Sequence, residues 1–436
     1  MFEPRHDPGA LRGALSWVDA RFGLIPRLEH TSHVAPEPAW HVYDAELARI
    51  PAGRMYAPEP EIAAGASLDP DEALRRALGE AIERYCGLHA PPPERLFAMP
   101  WRESSLAARF PRCAADEPCP ESLRGEPTSA LVPHTTVRQL TDDRELPVPA
   151  AHVYPAAPRV KGEPLLALGI STGLAFHLDL VRALWAGLCE VAERDAVMSM
   201  WWTRARVPRI DVSNAPEPLR DRVARLREVG IEAHLFDVTT DFAVPTVFCV
   251  LLAPDYPRVL TGASCASEPL RACTKAIDET IGVRHYARQE TEPASADDVD
   301  APFEHRFDGV RSLADHVRLY GTRGPSPALD FLLREPPSIE FHTFAAAAYW
   351  DEPTSMAELR ARAQQLDAQG LTVLWADLTL PEAEPLGRVV RVVVPEMLPL
   401  SPDHRIRWLA TPRLARRIGV EAPSVSAFNP WPHPFA

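Results

Sequence analysis

The pattern E-x-x-E-R occurs twice in this chain, as E-A-I-E-R from Glu80 to Arg84 and as E-V-A-E-R from Glu190 to Arg194. On a helix, residues three apart project roughly 60° apart, so Glu80 and Glu83 share a face, as do Glu190 and Glu193. The arginine follows one turn after the first glutamate of each pair. Either copy alone reads as a solvated face whose i,i+4 Glu–Arg pair contributes roughly 0.2 to 0.5 kcal/mol. A chain of this length holds on the order of a tenth of one such pattern by chance, so two copies point to chemistry. Four carboxylates facing one cavity repel each other, and repel a triphosphate, unless divalent cations intervene. Magnesium meets both demands, because it takes oxygen ligands and is commonly held by one or two carboxylates plus phosphate oxygens. Arginines then stabilise the charge that remains during phosphoryl transfer.

The elements that must position these residues are readable. The first pattern lies on a helix with Asp69 as N-cap, Pro70 at its first position and Glu72 completing a D-x-x-E capping box. Leu74, Leu78, Ala81, Ile82 and Tyr85 form its apolar face, opposite the glutamates. A second helix is expected from about Asp179 to Trp202, with Val181, Leu184, Trp185, Leu188 and Ala192 as its stripe. A third begins near Ser267 and Pro269 and continues through about Tyr286. Residues 89–165, rich in proline and polar groups, read as an irregular layer containing strands. Residues 212–262 and 354–400 each read as a helix followed by buried strands. The fold class is therefore a mixed α/β fold with several sheets and helices.

Composition narrows the classes of function. A chain of 436 residues that is 46% hydrophobic can bury a large core in one large domain or two to three subdomains. A formal charge of −14 argues against a duplex nucleic-acid binder. The N-terminus lacks the basic start and apolar run of a signal peptide, and no segment approaches about 18 uninterrupted apolar residues, so a cytoplasmic location is expected. The seven cysteines are scattered without a C-x-x-C, which predicts reduced thiols. Cys86 and Cys189, beside the two patterns, read as small buried hydrophobes. The histidines, His285 and His342 among them, show no metal-ligand spacing and read as structural or surface residues. Trp201 and Trp202 read as core. Lys161 and Lys275 are the only lysines, so arginine must do most cationic work.

The same residues carry a resemblance. SLDPDEALRRALGEAIERYCG, ISTGLAFHLDLVRALWAGLCEVAERDAVMSMWW, ASEPLRACTKAIDETIGVRHYAR and VVRVVVPEMLPL resemble, in that order, the characteristic blocks of the YcaO family. The closing N-P-W-P-H-P-F-A resembles the proline-rich tail of its azoline-forming cyclodehydratases, as found in thiazole/oxazole-modified microcin biosynthesis. The resemblance implies a YcaO-like domain over 60–436, with tail 429–436, an N-terminal segment 1–59 packed on it, and the three helices converging on a nucleotide cleft between subdomains. It implies ATP and Mg2+ as cofactors, with Glu80, Glu83, Glu190 and Glu193 on the metal. Ser67, Arg76, Arg84, Thr172, Arg194, Glu279 and Arg284 would lie on the nucleotide, and Pro430, Pro432 and Pro434 would bring the tail to the catalytic centre. By itself a proline-rich terminus reads as an extended end, but Trp431, His433 and Phe435 offer groups for docking.

The implied reaction converts Cys, Ser or Thr of a ribosomally made precursor peptide to thiazoline or oxazoline by phosphorylating the amide oxygen. A separate E1-like, leader-binding partner is expected, since nothing before residue 60 resembles that module, together with a homodimer or larger hetero-oligomer. Four positions differ from the family's habit. There is no lysine in Ala63 to Ser67, Arg76 replaces a small hydroxyl residue, Gly282 replaces a glutamine, and Ala436 ends the chain in place of proline. Peptide thioamidation and a non-catalytic scaffold are the alternatives these residues leave open.

Overall fold

The computed structural model describes residues 13–48, 61–124, 127–157, 163–289, 307–323, 327–420 and 424–435. Parts of the N-terminal segment (1–12 and 49–59), Lys161 and Ala436 lie outside the described residues.

Three strand-to-helix units frame the molecule. Strand β1 (Arg27–Ser32), β2 (His41–Glu46) and β3 (Ile62–Ser67) form an antiparallel sheet, and β3 leads into α1 (Pro70–Gly87). Next come β4 (Phe97–Pro100), β5 (Leu131–Gln139), β6 (Glu145–Pro149) and β7 (Leu174–His177), the last leading into α2 (Leu180–Thr203). Then follow β8 (Arg209–Asp211), α3 (Glu217–Glu228), β9 (Glu232–Asp237), β10 (Thr246–Leu252) and β11 (Val259–Cys265), which leads into α4 (Pro269–Gln289). The chain continues through α5 (Leu313–Arg323), β12 (Ser338–Glu340), α6 (Met356–Ala368), β13 (Leu374–Asp377), β14 (Arg388–Val393) and α7 (Pro412–Ile418).

The second sheet has the order β11-β10-β9-β8-β12, antiparallel except for β12 beside β8. The third has the order β4-β5-β13-β14-β7, with β6 also on β5. This mixed α/β architecture is the expected one. The proline-rich layer supplies β4, β5 and β6, and both helix-then-strand blocks form as read.

Local chemistry sets the helix starts. The Asp69 carboxylate accepts the N–H of Asp71 at 2.9 Å, and that of Asp179 accepts the N–H of Arg182 at 2.9 Å. The reciprocal half of the expected capping box is absent. Glu72 turns to Arg75 and Arg76 (3.0 and 3.1 Å), and the Asp69 N–H donates to Ser67 Oγ at 3.2 Å. Two guanidiniums within one turn outcompete a neutral amide for a carboxylate. The third helix runs to Gln289, past the expected end at Tyr286.

Helix α2 is buried on almost every side, packed against β14, β7, β11 and α7. Trp201 and Trp202 are wholly inside, as expected. The face of α2 opposite its apolar stripe is turned into the protein, and Glu193 is only 7% exposed, so the solvated-face reading of E-V-A-E-R fails. All seven cysteines are buried and unpaired, and burial pushes the Cys86 thiol up to about 12. No helix among the described residues is long and apolar enough to cross a membrane.

Behind the patterns, α2 is locked by charge. Asp195, fully buried, accepts the Leu398 N–H at 3.0 Å and Arg413 Nε at 2.7 Å, while Arg413 Nη1 reaches Asp241 at 3.0 Å. Removing the cation leaves Asp195 without its partner. Arg413→Met should lower stability by about 3 to 5 kcal/mol in urea unfolding, and a loss below about 1 kcal/mol would place the pair among exposed ones.

Candidate active site

Each of the three helices carries a glutamate ten residues past its first residue: 70 to 80, 180 to 190 and 269 to 279. At about 1.5 Å per residue, all three carboxylates sit at the same depth, roughly 15 Å along their helices. Glu80 accepts the Ala64 N–H at 3.1 Å and Glu190 the Gly173 N–H at 3.0 Å. Glu193, one turn further, accepts the Cys265 N–H at 3.0 Å at the end of β11. The strand side of each unit thus anchors a carboxylate on a helix. Two glycines make the approach possible. A Cβ on Gly65 would lie 2.2 Å from Ala73 O, and one on Gly173 (φ +85°) would lie 2.2 Å from Val392 O.

The arginines close these pairs. Arg84 Nη2 donates to Glu80 at 3.1 Å and Nη1 to Glu61 at 2.9 Å. Arg194 contacts Glu193 at 3.0 Å and Glu190 at 3.4 Å. The Nε atoms of both are buried without a partner. Burial raises the carboxyl pKa values of Glu80 and Glu193, opposed in part by Arg84 and by Arg194 respectively. Glu83 is pushed well above the ordinary range by burial and then by Glu190 across the cleft. The two patterns therefore face each other closely enough to couple.

Glu279 acts on Glu80 and Glu193, but its helix lacks the arginine four residues on. Arg284 stands five residues after Glu279, about 140° around the helix. Its guanidinium is bound to Glu37 at 2.7 and 2.9 Å and to Asp255 at 3.4 Å. Lys275 takes the cationic place instead, 4.0 Å from Glu279 and felt by Glu83 and Glu193. Arg76 binds Ala66 O (2.8 Å) and Asp278 (3.2 Å), tying α1 to β3 and α4. Ser67 is 2% exposed and serves the turn before α1. Thr172 is 9% exposed and adjoins Gly173.

The structure thus gathers Glu80, Glu83, Glu190, Glu193, Glu279, Arg84 and Arg194, sets Thr172 beside them, and engages Ser67, Arg76 and Arg284 in bonds within the fold. Lys275 and Arg391 were missed as site residues. Arg391, on β14, lies within reach of Glu190 and Glu83, and burial lowers its pKa to about 10. A cation inside the apolar run V-V-R-V-V-V was its available signal, and a rare lysine on the third helix was that of Lys275.

Among the described residues, no three His, Cys, Asp or Glu side chains form a ready-made metal cage. The donors nevertheless fit magnesium, which prefers a few carboxylates and completes its shell with phosphate oxygens and water. Buried carboxylates with raised pKa values are short of positive charge, which a divalent ion supplies.

The C-terminal tail is seated in the core. Proline offers no N–H, so the tail binds through its carbonyls. Those of Trp431, Pro432 and Pro434 accept from Trp201 Nε1 (3.0 Å), Tyr320 Oη (2.6 Å) and Thr261 Oγ1 (2.8 Å), and that of His433 pairs with the His316 ring at 2.5 Å. Pro432, Pro434 and Phe435 are buried while Pro430 is exposed, and the Phe435 ring lies 4.6 Å from the Arg194 guanidinium carbon.

Known proteins share this fold. The sequence pattern of the family described as YcaO cyclodehydratase, ATP- and Mg2+-binding, matches residues 64–398. A heterocyclase in complex with substrate and cofactor superposes with a TM-score of 0.70 at 19% identity, over 100% of this chain and 59% of that one. This chain therefore spans well under two thirds of that heterocyclase. YcaO from Methanopyrus kandleri, bound with AMPPCP and Mg2+, gives 0.57 at 19% identity over 85% of both chains. The E. coli microcin synthetase McbBCD complex with pro-MccB17 bound gives 0.55 at 14% identity over 88% and 91%. These likenesses show a common fold, and the family pattern spans most of the chain. The protein belongs to the YcaO family, and ATP and Mg2+ are its cofactors.

Proposed function

We propose that this ATP-dependent enzyme forms thiazolines or oxazolines from Cys, Ser or Thr in a ribosomally made precursor peptide. The observation that carries this reading is the seated tail, whose last described residue, Phe435, stacks on Arg194 of the second glutamate pattern. It supports a ring-forming chemistry beyond plain ATP use.

In the proposed reaction the thiol or hydroxyl adds to the preceding carbonyl carbon, and the carbonyl electrons move to oxygen. That oxygen takes the terminal phosphoryl group of ATP, releasing ADP. The amide nitrogen then expels phosphate, leaving a C=N bond; the amide oxygen departs in the phosphate, and the thiol or hydroxyl proton and the amide N–H proton pass to solvent. Magnesium, when bound, would supply the positive charge that neutralises the phosphate oxygens. Glu80, Glu83, Glu190 and Glu193 would hold it, while Arg84, Arg194 and Lys275 orient the nucleotide against Glu279 and Thr172. Catalysis of this kind rests on positioning and charge neutralisation rather than on a protein nucleophile, in keeping with thiols that are all buried.

The microcin synthetase neighbour is a complex with its peptide bound. By analogy a separate leader-binding partner would capture the precursor and raise its effective concentration here.

Incubation with a cognate peptide, its partner, ATP and magnesium should give a mass loss of one water per ring. An oxygen-for-sulfur mass gain would assign thioamidation instead. Glu80→Gln and Glu193→Gln should each lower phosphate release by about 100-fold, with an unchanged circular dichroism spectrum. Deleting 430–436 should cost about 100-fold in turnover, as a misplaced catalytic group does, while Mg·ATP affinity in calorimetry moves much less.

A pH effect follows as well. Carboxyl groups whose folded pKa is raised favour the fold while protonated, and that contribution fades as pH rises through the folded pKa. For Glu80, Glu83 and Glu193 the metal-free chain should lose stability from about pH 5 upward. Magnesium with AMPPCP should restore it, so the gain in Tm should be larger at pH 8 than at pH 5.5.

A further inference from the structure

A cavity of about 80 Å³ opens beside the glutamates, between the segment that carries Leu166 and Leu168, the loop after β14 and the C-terminal part of the chain. Thr172, Val191 and Arg391 line its inner side, and each borders the acidic site. Thr172 precedes Gly173, whose N–H holds Glu190; Val191 follows Glu190; Arg391 acts electrostatically on Glu190 and Glu83. Leu166, Leu168, Met397 and Trp408 make the rest of the wall mostly apolar.

Two buried donors on this wall lack a partner. Arg391, 6% exposed, gives Nη1 to Ile170 O at 3.0 Å but leaves Nε unpaired, and Trp408, 4% exposed, leaves Nε1 unpaired. An unmade bond at a buried donor costs about 1 to 3 kcal/mol, and both donors, sealed in their present positions, would gain a partner if a ligand with acceptor oxygens drew these side chains toward the cavity. No carboxylate is needed on that ligand. The glutamates beside Arg391 already supply negative charge, and the remaining lining is neutral.

We infer that this cavity receives the peptide residue immediately before the one that cyclises. Its apolar side chain lies among Leu166, Leu168 and Met397, and backbone carbonyl oxygens of the peptide accept from Arg391 and Trp408. The proposal rests on the function above, because only a peptide amide held at the glutamates brings a neighbouring side chain and carbonyls to this wall together. It makes the residue before the ring a determinant of specificity. Arg391 would be a catalytic residue, facing the carbonyl oxygen on which charge develops.

The test uses three synthetic acetylated tetrapeptide amides, Gly-Leu-Cys-Gly, Gly-Asp-Cys-Gly and Gly-Lys-Cys-Gly, at millimolar concentration with the full chain, ATP and magnesium. Phosphate release and water loss are followed, with calorimetry of Mg·ATP as a separate readout. The leucine peptide should have a kcat/KM at least tenfold above the other two. Ala151→Phe, which adds bulk to the cavity lining, should abolish that preference with Mg·ATP affinity intact. Trp408→Phe should raise the KM of the leucine peptide about fivefold at unchanged kcat, as loss of one hydrogen bond does. Arg391→Gln should instead lower kcat about 100-fold. Persistence of the leucine preference in Ala151→Phe would overturn the cavity assignment while leaving ring formation standing. Failure of the wild-type chain to bind Mg·ATP, or of the chain together with its leader-binding partner to turn over any peptide, would overturn both.

Discussion

Mutual repulsion among buried carboxylates is the constraint around which this molecule is arranged. Glu80, Glu83, Glu190, Glu193 and Glu279 come from three helices, and burial first, then neighbouring carboxylates, raise the pKa values of Glu80, Glu83 and Glu193. Left alone, such a cluster would swell or protonate. The protein opposes this with backbone N–H groups from the strand side of each unit, with Arg84 and Arg194 one turn after the first glutamates, and with Lys275 and Arg391 from outside the patterns. The compensation stays incomplete, and that shortfall is what a divalent cation can fill.

The three sheets serve this geometry. Each glutamate helix follows a strand after a short turn, so its depth is set by where the helix starts, and the aspartate caps at Asp69 and Asp179 set the start of two. On the side of α2 away from the cleft, Asp195 and Arg413 hold the helix in place. The tail reinforces the same helix, since Asn429 donates to Trp202 O at 2.8 Å and Trp201 to Trp431 O. One helix therefore carries the second glutamate pair, a structural ion pair and the tail's anchor. Cavity and tail reach the cleft through residues next to or within its second pattern, Val191 and Arg194.

Much of this was legible locally. Caps, apolar stripes and the two E-x-x-E-R patterns depend on neighbours within a turn or two, so α1 and α2 were readable nearly to the residue. Reading failed where a partner outside the recognised pattern decided, either within the same turn or far along the chain. Glu72 looked like half of a capping box, but Arg75 and Arg76 draw it away. Arg284 looked equivalent to Arg84 and Arg194, yet one extra residue rotates it to Glu37, 247 positions away. Arg391 seemed part of a buried strand, and only pairing of β14 with β7 brings it to the cleft. The solvated face suggested for E-V-A-E-R failed for the same reason, because β11 and β14, which help cover α2, lie well downstream in the sequence.

The most direct test of the account is a crystal structure with Mn2+ and AMPPCP, using anomalous scattering to locate the metal. Density between the Glu80–Glu83 and Glu190–Glu193 pairs, with phosphate oxygens completing the shell and Arg84 and Arg194 turned toward the nucleotide, is the predicted result. Metal bound elsewhere, or nucleotide bound while all four carboxylates keep their present contacts and no metal lies among them, would contradict it.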